Sequence, residues 1–118
     1  MSLPHLDSAV LATLQDVMEA EYPVLLDTFL NDSQERLRSL HLACEAKDAA
    51  ALRRAAHSFK GSCSNLGAMA LSDLLSKLED LASKGLLTDA AALIEAAEEE
   101  FATVRELFRA ERQRYGQA

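Results

Sequence analysis

The stretch LRRAAHSFKGSCSNLG, residues 52–67, decides the fold because its apolar residues recur at helical spacing. Successive apolar positions lie 4, 3, 4 and 3 residues apart, and they are Leu52, Ala56, Phe59, Cys63 and Leu66. This spacing places them on one stripe of an α-helix, with polar residues on the opposite side. Asp48 is a suitable N-cap and Gly67 a suitable C-terminal stop, so the sequence predicts an amphipathic helix over residues 48–66.

The chain on either side of this stretch shows the same apolar spacing between a few helix breakers. Glycine, proline, and β-branched and aromatic residues are sparse, which favours helices over strands. We expect a single all-α domain over residues 1–118, an antiparallel up-down-up-down four-helix bundle with a short N-terminal capping helix. The predicted helices cover approximately residues 7–18, 22–45, 48–66, 71–84 and 89–112.

Charge is unevenly distributed along the chain. The net charge of −7 argues against nucleic acid or an anionic membrane as a partner. Between residues 48 and 67, however, the sequence contains three basic residues and a single acidic one, which leaves a local charge of +2; the basic residues are Arg53, Arg54 and Lys60. Such a basic island suits an anionic ligand or an acidic partner surface.

Targeting signals are not visible in the sequence. No apolar run approaches the roughly 20 residues that a membrane span needs, and the N-terminus lacks the basic and apolar regions of a secretory signal. Cys44 and Cys63 have no disulfide-framework spacing. We therefore expect a cytoplasmic protein with reduced thiols.

His57 lies within the basic island, on the face of the predicted helix opposite the apolar stripe. At about 100° per residue, its neighbours within about 60° are polar or small; they are Arg53, Arg54, Lys60, Gly61 and Ser64. Two interpretations stay open: an ordinary solvated histidine, or a nucleophile displayed for a partner. Gly61, a poor helix former, leaves a flat approach beside His57 and favours the second, unless its role is close helix packing.

Metal and nucleotide chemistry find little support in the sequence. His5 and His41 lie in different segments without ligand spacing, and the helix faces lack the inward Glu and His residues of a metal-dependent hydrolase. No glycine-rich phosphate loop follows a strand. We expect no metal site and no cofactor in this chain.

The segment HSFKGSCSNLGA, residues 57–68, resembles the signature of histidine-containing phosphotransfer (HPt) domains, in particular stand-alone bacterial ones. In that signature a histidine is followed by x-x-Lys-Gly, small residues and a Leu-Gly turn. The resemblance implies a helical bundle in which His57 is the phosphoacceptor, Lys60 a cation beside it and Gly61 its small neighbour. Arg53, Arg54 and Ser64, on the same face, are expected to bind the partner.

The resemblance also implies partners and a role. HPt domains accept a phosphoryl group from a receiver-domain aspartate of a hybrid histidine kinase and pass it to the receiver of a response regulator. We therefore expect a monomeric phosphocarrier without a kinase site, with Mg²⁺ held by the partner receiver. The alternative is a pseudo-HPt adaptor that binds receivers without carrying phosphate. The chemistry agrees, because a neutral imidazole offers a nucleophilic nitrogen and nearby cations offset roughly −1.5 to −2 of added charge.

Many HPt domains orient the imidazole with a Gln or Glu on the next helix, and hairpin geometry selects a candidate here. If the third and fourth helices turn near Ala68, the residue opposite His57 is Glu79. We predict that Glu79 accepts a hydrogen bond from Nδ1–H and leaves Nε2 as the nucleophile. The alternative is that Glu79 is a solvated charge without a role.

Overall fold

The computed structural model describes residues 3–116, in which helices alternate with short turns and no strand occurs. The α-helices are α1 Ser8–Met18, α2 Tyr22–Glu45, α3 Ala49–Asn65, α4 Met69–Ser83 and α5 Leu87–Gly116, with a 3₁₀ turn Glu19–Glu21 after α1. Successive helices from α2 to α5 pack against one another, and α5 also packs against α2, which closes an antiparallel four-helix bundle. The predicted fold class is confirmed.

The ends of the helices follow local rules. Asp48 caps α3 by accepting a hydrogen bond from the backbone N–H of Ala51 at 3.0 Å. Gly67 lies in the middle of the α3–α4 connection with φ of +75°, and a Cβ there would lie 3.1 Å from Cβ of Val10 on α1. Gly67 therefore serves both a left-handed turn and the close approach of α1 to this end of the bundle.

The apolar stripe of α3 forms the centre of the core. Leu52, Ala56, Phe59 and Cys63 are fully buried. Burial raises the pKa of the Cys63 thiol to about 12, so this thiol stays neutral and packs as a small apolar group. Within residues 3–116, every helix is too short or too polar to cross a membrane.

Several helix ends differ by one to four residues from the sequence prediction, and the largest difference has a tertiary cause. Helix α5 runs to Gly116 rather than about residue 112, since its last turns pack on the start of α2. There the Tyr22 hydroxyl donates to Glu111 at 3.0 Å, and the Tyr22 and Tyr115 rings meet edge to face at 5.5 Å. Helix α4 begins at Met69 rather than at residue 71.

Candidate functional site

His57 lies at the middle of α3 and faces solvent. Its side chain is 67% exposed, whereas Ala56 and Phe59 on either side of it are fully buried. The helix period alone produces this contrast, because residues one and two positions apart point to different faces. A histidine packed in the core is therefore excluded.

A single carboxylate on α4 contacts both His57 and Lys60. Glu79 Oε2 lies 2.9 Å from Nδ1 of His57, and its other oxygen, Oε1, accepts a hydrogen bond from Lys60 Nζ at 2.7 Å. The short turn between α3 and α4 sets this arrangement, because antiparallel neighbours joined by a short turn bring residues equidistant from it face to face. The structure thus joins three of the predicted site residues.

Glu79 is a carboxylate at neutral pH. The hydrogen bond from Lys60 is the main cause that lowers its pKa; partial burial acts in the opposite direction, and the hydrogen bond with His57 lowers the pKa further. The anionic Glu79 accepts a hydrogen bond from Nδ1–H of His57. This bond selects the tautomer in which Nε2 carries no proton. The imidazole edge that carries Nε2 is the edge directed away from α4.

Gly61 leaves free space on the helix surface beside the imidazole. It is exposed, and a Cβ built on it would meet no atom within 4 Å. Close helix packing therefore does not explain this glycine. The lack of a side chain leaves room one turn from His57 for a second molecule to approach.

The predicted partner-binding residues fall on different flanks of α3. Arg53 is exposed and lines a shallow cleft towards α4 together with Glu79, whereas Arg54 is exposed and lines a cleft towards α2. Ser64 lies two turns from His57, and its hydroxyl is 2.7 Å from that of Ser72 on α4. The Ser64 hydroxyl is thus engaged within the bundle rather than held beside His57.

Sequence reasoning missed Arg36, an arginine on α2 that reaches the site. Its guanidinium donates to Oγ of Ser58, the residue after His57, at 2.5 Å. The signal was available, because the mirror relation that selects Glu79 also applies to the α2–α3 turn near Lys47, where it pairs positions 36 and 58. The prediction of Glu79 uses the α3–α4 turn alone, and Arg36 depends on the α2–α3 turn.

The described residues do not form a metal-binding cluster. Among residues 3–116, no three His, Cys, Asp or Glu side chains are placed to hold an ion. His5 and His41 each lie beside a different glutamate of α5, at 2.6 Å from Glu100 and 2.9 Å from Glu98. What the site at His57 offers is one oriented nitrogen nucleophile with cations around it.

Known proteins resemble this chain in both sequence and fold. The family model of the Hpt domain matches residues 24–110. The chain belongs to the Hpt domain family. The crystal structure of histidine-containing phosphotransfer protein B (HptB) from Pseudomonas aeruginosa PAO1 is similar to this Hpt domain with a TM-score of 0.93 and 63% sequence identity, over 97% of this chain and 99% of that one. No curated protein sequence matches the chain significantly.

Membership of the family sets the general role. Hpt domains take part in histidine phosphotransfer within phosphorelays, they interact with receiver domains of two-component systems, and they are carriers rather than kinases. The general role predicted for this chain is thereby confirmed, and the exposed histidine on α3 of this Hpt domain lies within the matched region.

Proposed function

We propose that His57 is the phosphoacceptor, and that it takes a phosphoryl group from the receiver aspartate of a hybrid sensor kinase and passes it to a response-regulator receiver. One observation carries the proposal: the imidazole is 67% exposed while its Nδ1 is bonded to Glu79. Nε2 is then both oriented and open to a visiting phosphoaspartate. The intact acceptor favours this role over that of a pseudo-HPt adaptor.

The transfer step needs only the imidazole and the incoming acyl phosphate. The Nε2 lone pair forms a bond to phosphorus while the bond from phosphorus to the aspartate oxygen breaks, and the electron pair leaves with the aspartate carboxylate. The phosphorylated ring keeps its proton on Nδ1 and becomes cationic, so the Glu79 carboxylate stabilises the product. Transfer to the second receiver is the reverse of this step with a different aspartate.

The remaining requirements are positioning and electrostatics. Lys60 and Arg54 offset part of the negative charge that the phosphoryl group brings to this face. The proposed carrier acts as a monomer with no cofactor of its own, and the receiver supplies Mg²⁺. Its substrate is another protein's aspartyl phosphate.

The test is transfer from a ³²P-labelled receiver to the purified protein. Wild type should acquire an acid-labile, alkali-stable label, as expected of a phosphohistidine, and His57→Gln should acquire none. His5→Gln is the matched control, because His5 also has Nδ1 beside a glutamate, and it should be labelled like wild type. Label that persisted in His57→Gln would overturn the assignment. A wild-type protein that bound receivers but took no label would be an adaptor.

A further inference from the structure

The cations of this protein differ in whether its own carboxylates neutralise them. Those from α4 onwards are paired within the chain: Lys77, Lys84, Arg105, Arg109, Arg112 and Arg114 each have a carboxylate oxygen within 4.0 Å. Arg36 and Arg54 have no such partner among residues 3–116. Arg38, Lys47 and Arg53 also lack an ion-pair partner among residues 3–116, but Arg36 and Arg54 are the two that line one cleft beside the candidate phosphoacceptor.

On the α3–α4 flank of His57, acidic side chains offset the cations. Lys60 is bonded to Glu79, and Arg53 lines its cleft together with Glu79 and Asp80. The lining of this cleft thus contains two carboxylates and one arginine, and Lys60 and Lys84 are bonded to those carboxylates. An anionic partner approaching here would meet little net attraction.

On the α2–α3 flank the balance is different. Arg36, Ser39, Arg54, Ala55 and Ser58 line a cleft, here called the basic cleft, and no acidic side chain lines it. The bond from Arg36 to the Ser58 hydroxyl holds one guanidinium beside His57. A guanidinium held in place loses less conformational entropy when it binds an oxyanion, and its planar fork matches a carboxylate.

A second observation on the same flank also indicates a missing partner. Arg36 lines an adjoining hollow between α2 and α3, and its other polar lining residues include Asp32, Ser33, Ser62 and Asn65. Ser33 is completely buried, and its Oγ has no hydrogen-bond partner within the described chain. Buried hydroxyls are normally bonded, so this hollow has unused hydrogen-bonding capacity.

We infer that the basic cleft binds a carboxylate side chain on the docking face of the receiver domain, so that the receiver straddles α2 and α3 rather than α3 and α4. The inference rests on the proposed function, and it adds which flank of His57 recognises the partner and by what chemistry. Charge complementarity and continuity with His57 favour this occupant. The adjoining hollow accepts a polar side chain from the same surface.

The experiment measures receiver-dependent phosphotransfer in Arg36→Gln, Arg54→Gln and the double variant. Each single change should raise the apparent KM for the receiver about tenfold and weaken its dependence on salt, because a charged contact is lost from the interface. Arg38→Gln is the matched control: Arg38 lies on the same helix and is exposed, but it faces α5 beside Glu98. Arg53→Gln reports on the opposite flank.

A small phosphodonor separates docking from chemistry. Phosphoramidate should phosphorylate His57 without a docked receiver, with P–N cleavage and loss of ammonia, and at equal rates in wild type and Arg36→Gln. For Arg54→Gln, whose charge also offsets the phosphoryl group, the loss of rate with the receiver should exceed the loss with phosphoramidate. If neither the phosphorylated receiver nor phosphoramidate labels His57, the proposed function fails. If labelling is normal but Arg36→Gln and Arg54→Gln match wild type in KM and salt dependence, or Arg53→Gln alone raises KM, the basic cleft is not the recognition site.

Discussion

The regions around His57 and His5 contain the same pair of groups in different surroundings. In each, Nδ1 of an exposed imidazole lies beside a glutamate oxygen, at 2.9 Å for Glu79 and 2.6 Å for Glu100. The carboxylate beside His57 also binds Lys60. A histidine–glutamate pair alone therefore does not identify a phosphotransfer site in this protein.

The difference between these regions lies in the scaffold and the nearby charges. His57, Lys60 and Glu79 project from two adjacent long helices, and helices hold side chains more precisely than loops do. His5 precedes α1 in the N-terminal segment, and the lysine that lines its hollow, Lys77, is paired with Asp73. Lysines are paired in both regions, so preorganisation on two helices and the unpaired Arg36 and Arg54 distinguish the candidate acceptor.

Among the variants that test the difference between the His57 and His5 regions, Glu79→Ala is expected to have the largest effect on phosphotransfer. Loss of the carboxylate frees the ring to rotate and removes the group that stabilises the cationic phosphoimidazole, so the transfer rate should fall about 10- to 100-fold, as for other residues that orient a reactive histidine. The measurement is single-turnover transfer from a phosphorylated receiver.

Glu100→Ala provides the control for that variant. It removes the carboxylate beside His5 and should leave the transfer rate unchanged. Equal rates in wild type and Glu79→Ala would show that Glu79 is a solvated charge, as the alternative interpretation of the sequence holds.

Substitutions of Gly61 are expected to have smaller effects, one on stability and one on the transfer rate. A Cβ at this position meets nothing within 4 Å, so Gly61→Ala should raise the free energy of unfolding by up to about 1 kcal/mol through helix propensity. Gly61→Leu should fold as well but slow receiver-dependent transfer about tenfold, because a bulky side chain displaces the partner.

Urea denaturation and the phosphotransfer assay together check the Gly61 prediction. Phosphoramidate labelling of Gly61→Leu should stay at the wild-type rate, since that donor is small. A Gly61→Leu variant that received phosphate from receivers as fast as wild type would show that the partner does not approach over this glycine.

The smallest expected effect is the pH dependence that Glu79 contributes to stability. Its native pKa lies below the ordinary value of 4.5, so the unfolded chain binds its proton first and the contribution is fully present above that value. The contribution should disappear as pH falls below about 4 through the native pKa. Urea midpoints of wild type and Glu79→Gln should differ at pH 7 and converge as the pH falls through the native pKa; a constant difference would contradict the assignment.

Much of the site could be predicted because it depends on local periodicity and one short turn. The direction of His57 follows from the α3 stripe, and Glu79 follows from counting outward from the α3–α4 turn. Arg36 was missed because its placement requires the α2–α3 turn to be folded as well. The extension of α5 to Gly116 was missed because it depends on contacts of Tyr115 and Glu111 with residues of distant sequence number.

The amino-acid sequence was sufficient for the helices, the buried stripe of α3 and the outward direction of His57, because a period of 3.6 residues is a property of neighbouring residues alone. Other features emerged only when the helices packed. Packing sets Lys60 on Glu79, holds Arg36 at Ser58 and leaves the two flanks of His57 with different charge balances. These features depend on distances between helices, and charges separated along the chain interact only once folding brings them within a few ångströms.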